Sequence, residues 1–180
     1  MNFFIPKKEL KVYLWSFGDE GKTTLLYRGL KGKKDFQTTF HTVGFNAEPL
    51  TFNKRNMVIW DIGGACQIKE LRNNYLPYCD ALIFLIDSSI SIDDQNYDST
   101  KFKENYEEFK KCIEIIKNKP LLIAITKVDI RKTSTYDIID FYQLQDLFKR
   151  QKKFGIIECS SFTSQGIKEI LYWISSIENS

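Results

Sequence analysis

Short apolar runs recur along the chain. Residues 10–17 (LKVYLWSF), 81–87 (ALIFLID) and 121–126 (LLIAIT) are rich in apolar side chains, and 155–159 (GIIEC) is a shorter run of the same kind. Runs of this length with little polar alternation predict strands buried on both faces of a sheet. Residues 45–52 (FNAEPLTF) and 56–62 (NMVIWDI) read as two further strands, and the polar Asn53-Lys54-Arg55 between them is a hairpin signal. Patterns of helical period lie at 22–30, 101–117, 137–149 and 166–177. In the last, Ile167, Ile170, Leu171, Ile174 and Ile177 fall on one stripe. Strands alternating with helices predict a doubly wound α/β domain, with ligands expected at the carboxyl ends of the strands. The polar, acidic stretch 91–100 (SIDDQNYDST) is expected to be a surface loop inserted before the 101–117 helix.

Composition narrows this picture without changing it. At 180 residues, with no repeat and no linker, the chain is expected to form one domain over 1–180, of which 1–6 is a short N-terminal extension. No apolar run approaches the ~18–20 residues of a membrane span. The formal charge of +3 comes from lysines scattered among acids, which argues against a nucleic-acid partner. The four cysteines (Cys66, Cys79, Cys112, Cys159) show no C-x-x-C spacing and His41 is the single histidine, so no zinc set is expected. The N-terminal apolar run is too short for a signal peptide, and Asn2 stands where myristoylation needs glycine. The C-terminus, SSIENS, offers no prenylation cysteine. The expectation is a cytoplasmic monomer with no direct lipid anchor, reaching membranes only through partners.

Residues 16–24 read SFGDEGKTT. A phosphate-binding loop is written G-x-x-x-x-G-K-[ST], so the pattern fails only at Ser16. Such a loop works because consecutive backbone N–H groups and a helix N-terminus point at phosphate oxygens. Gly18 and Gly21 would give the backbone room to turn, Lys22 would reach the outer phosphates, and the Thr23 hydroxyl would ligate Mg²⁺. Thr24 completes the set. Asp19 and Glu20 lie beside the expected polyphosphate and are tolerable only if they point outward.

Three further stretches carry chemistry that fits such a loop. WDIGG at 60–64 closes a strand with Asp61, placed to hold Mg²⁺ through water, and Gly64, whose N–H can meet a γ-phosphate. Thr42 lies between the two motifs, where a second Mg²⁺ hydroxyl is needed. Thr126-Lys127-x-Asp129 ends a buried strand. There the Asp129 carboxylate can accept paired hydrogen bonds from guanine N1–H and 2-amino groups while the Lys127 stem covers the base. Adenine offers no such donor pair. Cys159-Ser160-Ser161 follows the last strand, where N–H groups of Ser160 and Ser161 could meet guanine O6.

Together these elements resemble the small GTPases, and within them the Arf and Arf-like branch. The resemblance is carried by GKTTLLYRGL at 21–30, TVGFN at 42–46 and WDIGG at 60–64, and it spans the chain from Lys7 onward. It implies a six-stranded mixed sheet with one antiparallel edge pair and helices on both faces. It also implies GTP or GDP with Mg²⁺ as ligands. Phe45, Trp60 and Tyr75 would be the aromatic surface shown to protein effectors, and exchange factors would act on the same switch regions. The hairpin near 45–60 would slide when GTP replaces GDP.

The family's water-orienting glutamine is replaced here by Ala65, so no catalytic residue is assigned. A methyl group neither donates to nor accepts from the attacking water. An unaided small GTPase with its glutamine turns over at roughly 4 × 10⁻⁴ s⁻¹, and this chain is expected to be slower. Two readings follow: a GTP-binding switch with weak or absent hydrolysis, or an interaction module of the same fold whose nucleotide is absent or permanently bound. A GTPase rescued by a partner's residue is a third, and an ATP-using kinase is disfavoured by Asp129.

Overall fold

The computed structural model describes residues 9–37, 44–63, 73–92, 97–151 and 153–178. Six strands form one sheet: β1 (Leu10–Trp15), β2 (Phe45–Phe52), β3 (Arg55–Ile62), β4 (Ala81–Asp87), β5 (Leu121–Thr126) and β6 (Phe154–Glu158). Their spatial order is β2-β3-β1-β4-β5-β6. Only β2 and β3 pair antiparallel, from Phe45 opposite Ile62 to Phe52 opposite Arg55. The β1–β3, β1–β4, β4–β5 and β5–β6 pairs are all parallel.

The turn between β2 and β3 is tighter than the sequence suggests. Asn53 and Lys54 both take positive φ (48° and 59°), as a two-residue hairpin turn demands, and Arg55 joins β3. β1 in turn stops at Trp15, because the Phe17 N–H leaves the sheet for the Asn105 side-chain oxygen at 2.7 Å.

The helices divide between the two faces. The first begins as an α-helical turn, Lys22–Thr24, and continues as a π-helix, Leu25–Leu30; together they are α1. The others are α2 (Tyr97–Ile116), α3 (Thr135–Phe141), α4 (Leu147–Arg150) and α5 (Ile167–Ser175). Alternate residues of each strand point to opposite faces. Val12, Leu14, Ile83, Leu85, Leu122 and Ala124 bury against α1 and against Ile167, Ile170 and Ile174 of α5. Tyr13, Trp15, Leu82, Phe84, Ile86, Ile123 and Ile125 bury against Phe102, Phe109 and Cys112 of α2 and against Ile138, Tyr142 and Leu144. Burial pushes the thiols of Cys79 and Cys159 up to about 12, so neither is a nucleophile.

Two expectations need correction. The single helix expected at 137–149 is broken. Ser134 caps α3 by accepting the Asp137 N–H at 3.1 Å, and the helix ends before Tyr142 and the left-handed Gln143 (φ 52°). Ile138, Tyr142, Leu144 and Leu147 are all buried, a spacing of four, two and three that no continuous helix presents to one side. Of the loop expected at 91–100, residues 97–100 already belong to α2. Polar composition suits a solvated first helical turn as well as a loop, so it did not separate the two. Residues 1–6 and 93–96 lie outside the described residues.

Candidate functional site

The loop between β1 and α1 turns through Gly21, whose φ of 92° favours glycine, and Lys22 opens the helix. Lys22 is 5% exposed. Its Nζ donates to Ser16 Oγ at 2.7 Å and to the Gly18 carbonyl at 2.8 Å. The residue that breaks the sequence pattern is therefore a ligand of the loop's own lysine. Burial lowers the Lys22 pKa, and the charges of Glu20, Asp61 and Asp19, in that order, oppose the shift. Asp19 is exposed. Glu20 is not: it is 5% exposed, and its Oε2 accepts the Gly18 N–H at 2.8 Å.

At the carboxyl end of β3, Asp61 is fully buried and accepts the Thr23 hydroxyl on Oδ2 at 2.5 Å. Asn46 approaches the same oxygen at 3.4 Å. The other carboxylate oxygen, Oδ1, is buried without a hydrogen-bond partner among the described residues. An orphaned carboxylate oxygen beside a threonine hydroxyl fits Mg²⁺, which takes one or two protein oxygens and completes its shell with water and phosphate. Thr24 is half-buried in the same turn.

The end of β5 and the loop after it reach across to the phosphate loop. The Thr126 hydroxyl donates to the Glu20 carbonyl at 2.8 Å. Lys127, held at a φ of 57°, donates through Nζ to the Asp19 carbonyl at 3.1 Å and to Asp87 Oδ2 at 2.5 Å. Asp129 follows in a 3₁₀ turn (Val128–Ile130) with its side chain exposed. In the loop after β6, the Cys159 N–H donates to Ile125 and the Ser160 N–H to the Gln165 carbonyl at 3.0 Å. The Ser160 hydroxyl accepts the N–H groups of Phe162 and Thr163. Ser160 thus shapes its loop. The Phe162 ring is exposed, with the Arg28 guanidinium 4.4 Å above it.

Sequence reasoning missed the support behind the loop. Asn105 of α2 holds the Phe17 N–H and donates to the Leu85 carbonyl at 3.0 Å and to the Tyr142 hydroxyl at 3.2 Å. The Trp15 indole donates to the buried Glu108 at 2.9 Å. The available signal was two polar residues, Asn105 and Glu108, on the otherwise apolar stripe of a helix. Asp87, closing an apolar strand at the ligand end of the sheet, was another.

Phe45, Trp60 and Tyr75 come together as the sequence suggests, with ring centroids 5.2, 5.8 and 6.5 Å apart pairwise, and Phe45 is 47% exposed. Thr42, Gly64 and Ala65 lie outside the described residues.

One contact ties α1 to the edge hairpin. Glu48 of β2 accepts the Tyr27 hydroxyl at 2.9 Å and pairs with Lys31. Chiefly because of Lys31, its carboxyl is held below the ordinary 4.5. A depressed carboxylate stabilises fully above its unfolded value, and that contribution fades as pH falls through the lower folded value. Glu48→Gln should therefore lower the melting temperature at pH 7, and the difference from the parent should shrink as pH falls below the ordinary 4.5 and through the lower folded value. Melting curves of both chains across that range check it.

The ADP-ribosylation factor family matches residues 1–177 of the chain, almost its whole length. The chain belongs to that family. Among its Arf relatives is ADP-ribosylation factor F of Dictyostelium discoideum, 32% identical over 97% of this chain and 88% of that protein. ADP-ribosylation factors J and K of the same organism are 29% and 28% identical, each over 99% of this chain and 90% of the relative. Membership makes the chain a GTP-binding regulatory switch of the small-GTPase kind, and the sheet has the six-stranded mixed form expected of it. Among the described residues, no helix is long and apolar enough to cross a membrane.

Proposed function

We propose that this Arf family member is a slow-cycling switch. It binds GTP with Mg²⁺, shows Phe45, Trp60 and Tyr75 to protein effectors, and hydrolyses its nucleotide very slowly. The observation that carries the reading is the joining of two loops, in which Thr126 and Lys127 hydrogen-bond to the Glu20 and Asp19 carbonyls. A base-reading segment is thereby fixed against a phosphate-reading one. Lys22 and the N–H groups around Gly21, Thr23 and Thr24 hold the phosphates, with Gly18 and Gly64 beside them. Thr23, Asp61 and Thr42 would hold Mg²⁺, which when bound would neutralise phosphate charge. Asp129 and the Ser161 N–H read guanine, and Lys127 covers it. The Ala65 methyl leaves the attacking water unaligned. Exchange factors act on the switch regions, and any membrane association runs through protein partners in the cytoplasm.

The second reading, an interaction module without exchangeable nucleotide, is favoured by one observation. Ser16 and Glu20 satisfy parts of the loop that phosphate would otherwise engage. The nucleotide carried by the purified chain, released by acid and identified by ion-exchange chromatography, separates the readings. GTP at near one per chain is expected. GDP would show that hydrolysis survives Ala65, and an empty site that refuses Mg²⁺·GTP would leave the second reading.

A further inference from the structure

Of the two loop acids, Asp19 is exposed and Glu20 is buried. The Glu20 side chain folds back so that one oxygen accepts the Gly18 N–H at 2.8 Å. A Cβ built on Gly18 would stand 3.7 and 3.8 Å from the two carboxylate oxygens, in ordinary contact with them. The carboxylate therefore lies against the turn of the loop, shielded from water. From there its charge acts on Lys22 more than that of Asp61 or Asp19. Lys22 is meanwhile held by Ser16 Oγ and the Gly18 carbonyl. The loop is thus organised around its own anion.

We propose that Glu20 is a built-in counter-anion of the phosphate loop, which weakens binding of guanine nucleotides in proportion to their phosphate charge and so speeds their release. The proposal rests on the nucleotide-binding reading above. A fixed negative charge in a partly dehydrated loop repels each added phosphate charge, and the repulsion is screened little by salt because the carboxylate is buried. A triphosphate is penalised more than a diphosphate. A monophosphate, whose single phosphate lies beyond the reach of Lys22, is penalised least. Asp19 is exposed and its charge is damped by water, so the effect belongs to Glu20.

The test compares the full-length chain with Glu20→Gln, which keeps an oxygen for the Gly18 N–H while removing the charge. Both are stripped of nucleotide and titrated with GTP, GDP and GMP in the presence of Mg²⁺, and release rates are followed by displacement. Glu20→Ala serves as a second variant in case the glutamine form fails to fold, with melting curves recorded for all three. The expected result is GTP binding about tenfold tighter in Glu20→Gln. GDP should tighten by a smaller factor and GMP by less than about twofold, with release slowed in the same order. A parent chain that binds no GTP while Glu20→Gln binds it would also support the proposal. Equal GTP affinities in parent and variants would overturn the proposal and leave the nucleotide-binding reading intact. An equal factor on all three nucleotides would overturn it too, because a merely structural role ignores phosphate number. No binding by any chain would overturn both.

Discussion

Asp129→Asn is expected to bind GTP about 10²–10³-fold more weakly than the parent, with no loss of folding stability. The chain turns sharply at the left-handed Lys127 and presents Asp129 from a short 3₁₀ turn, exposed and outside the core. In the proposed complex its two oxygens accept from guanine N1–H and from the 2-amino group. An asparagine keeps one acceptor and turns an N–H toward the 2-amino donor. Two charge-assisted hydrogen bonds give way to one neutral bond and one repulsive contact, a loss of about 3–4 kcal/mol. The same change creates a match for xanthine, which carries a carbonyl oxygen where guanine carries its amine. Competition of GTP, XTP and ATP against a fluorescent GTP analogue measures the outcome. XTP should displace the probe from Asp129→Asn better than GTP does. Unchanged GTP affinity would remove Asp129 from the site.

Gly166→Ala is expected to cost about 3 kcal/mol of stability, a fall of roughly 6–12 °C in melting temperature for a domain of this size. Gly166 begins α5 with a φ of 71°, and a Cβ there would lie 1.9 Å from the Glu158 carbonyl oxygen and 2.9 Å from its carbon. Both atoms are backbone, fixed by the pairing of β6 with β5, so the clash is relieved only by moving a strand or a helix. Gly32 supplies the control. Its φ is 65°, but nothing lies within 4 Å of a built Cβ. Gly32→Ala should therefore cost only the left-handed strain, about 1 kcal/mol. Because the Gln165 carbonyl beside Gly166 holds the Ser160 N–H, the Gly166 variant should also weaken guanine binding, while Gly32→Ala leaves it unchanged. Thermal melts and GTP titrations of both variants check the pair.

Most of the architecture was open to a reading of the sequence, for a physical reason. Strands β4 and β5 are buried on both faces, so their apolar runs start and stop where the strands do. Helix α5 keeps one apolar stripe because it packs on one sheet face. The break after α3 was hidden, because a helix-forming composition says nothing of a tyrosine that must turn inward to meet Asn105. The site was legible where chemistry fixes the residue type. Thr23 meets Asp61, and Thr126 and Lys127 reach carbonyls of the loop that carries Lys22, since each is tied to a strand end or a helix start. The side-chain directions inside the loop were not legible. Whether Glu20 faces solvent or folds onto Gly18 depends on how β5 and α2 pack around the loop, and no local pattern encodes that. Ser16 was visible as a departure, but its bond to Lys22 appears only once the loop is closed.

The anchoring of the Phe17 N–H by Asn105 has a mechanical consequence. The entrance of the phosphate loop is pinned from below by α2, through a buried chain that runs on to Leu85 and Tyr142. Its far side is fastened differently, by a hydroxyl from the last residue of β5 and an ammonium from the loop after it. The loop therefore behaves as a flap with a stiff hinge at one end and a latch at the other. Drawing Lys127 away from the Asp19 carbonyl would release one of the latch's two fastenings and leave the buried bond from Thr126 to the Glu20 carbonyl still tying the two segments.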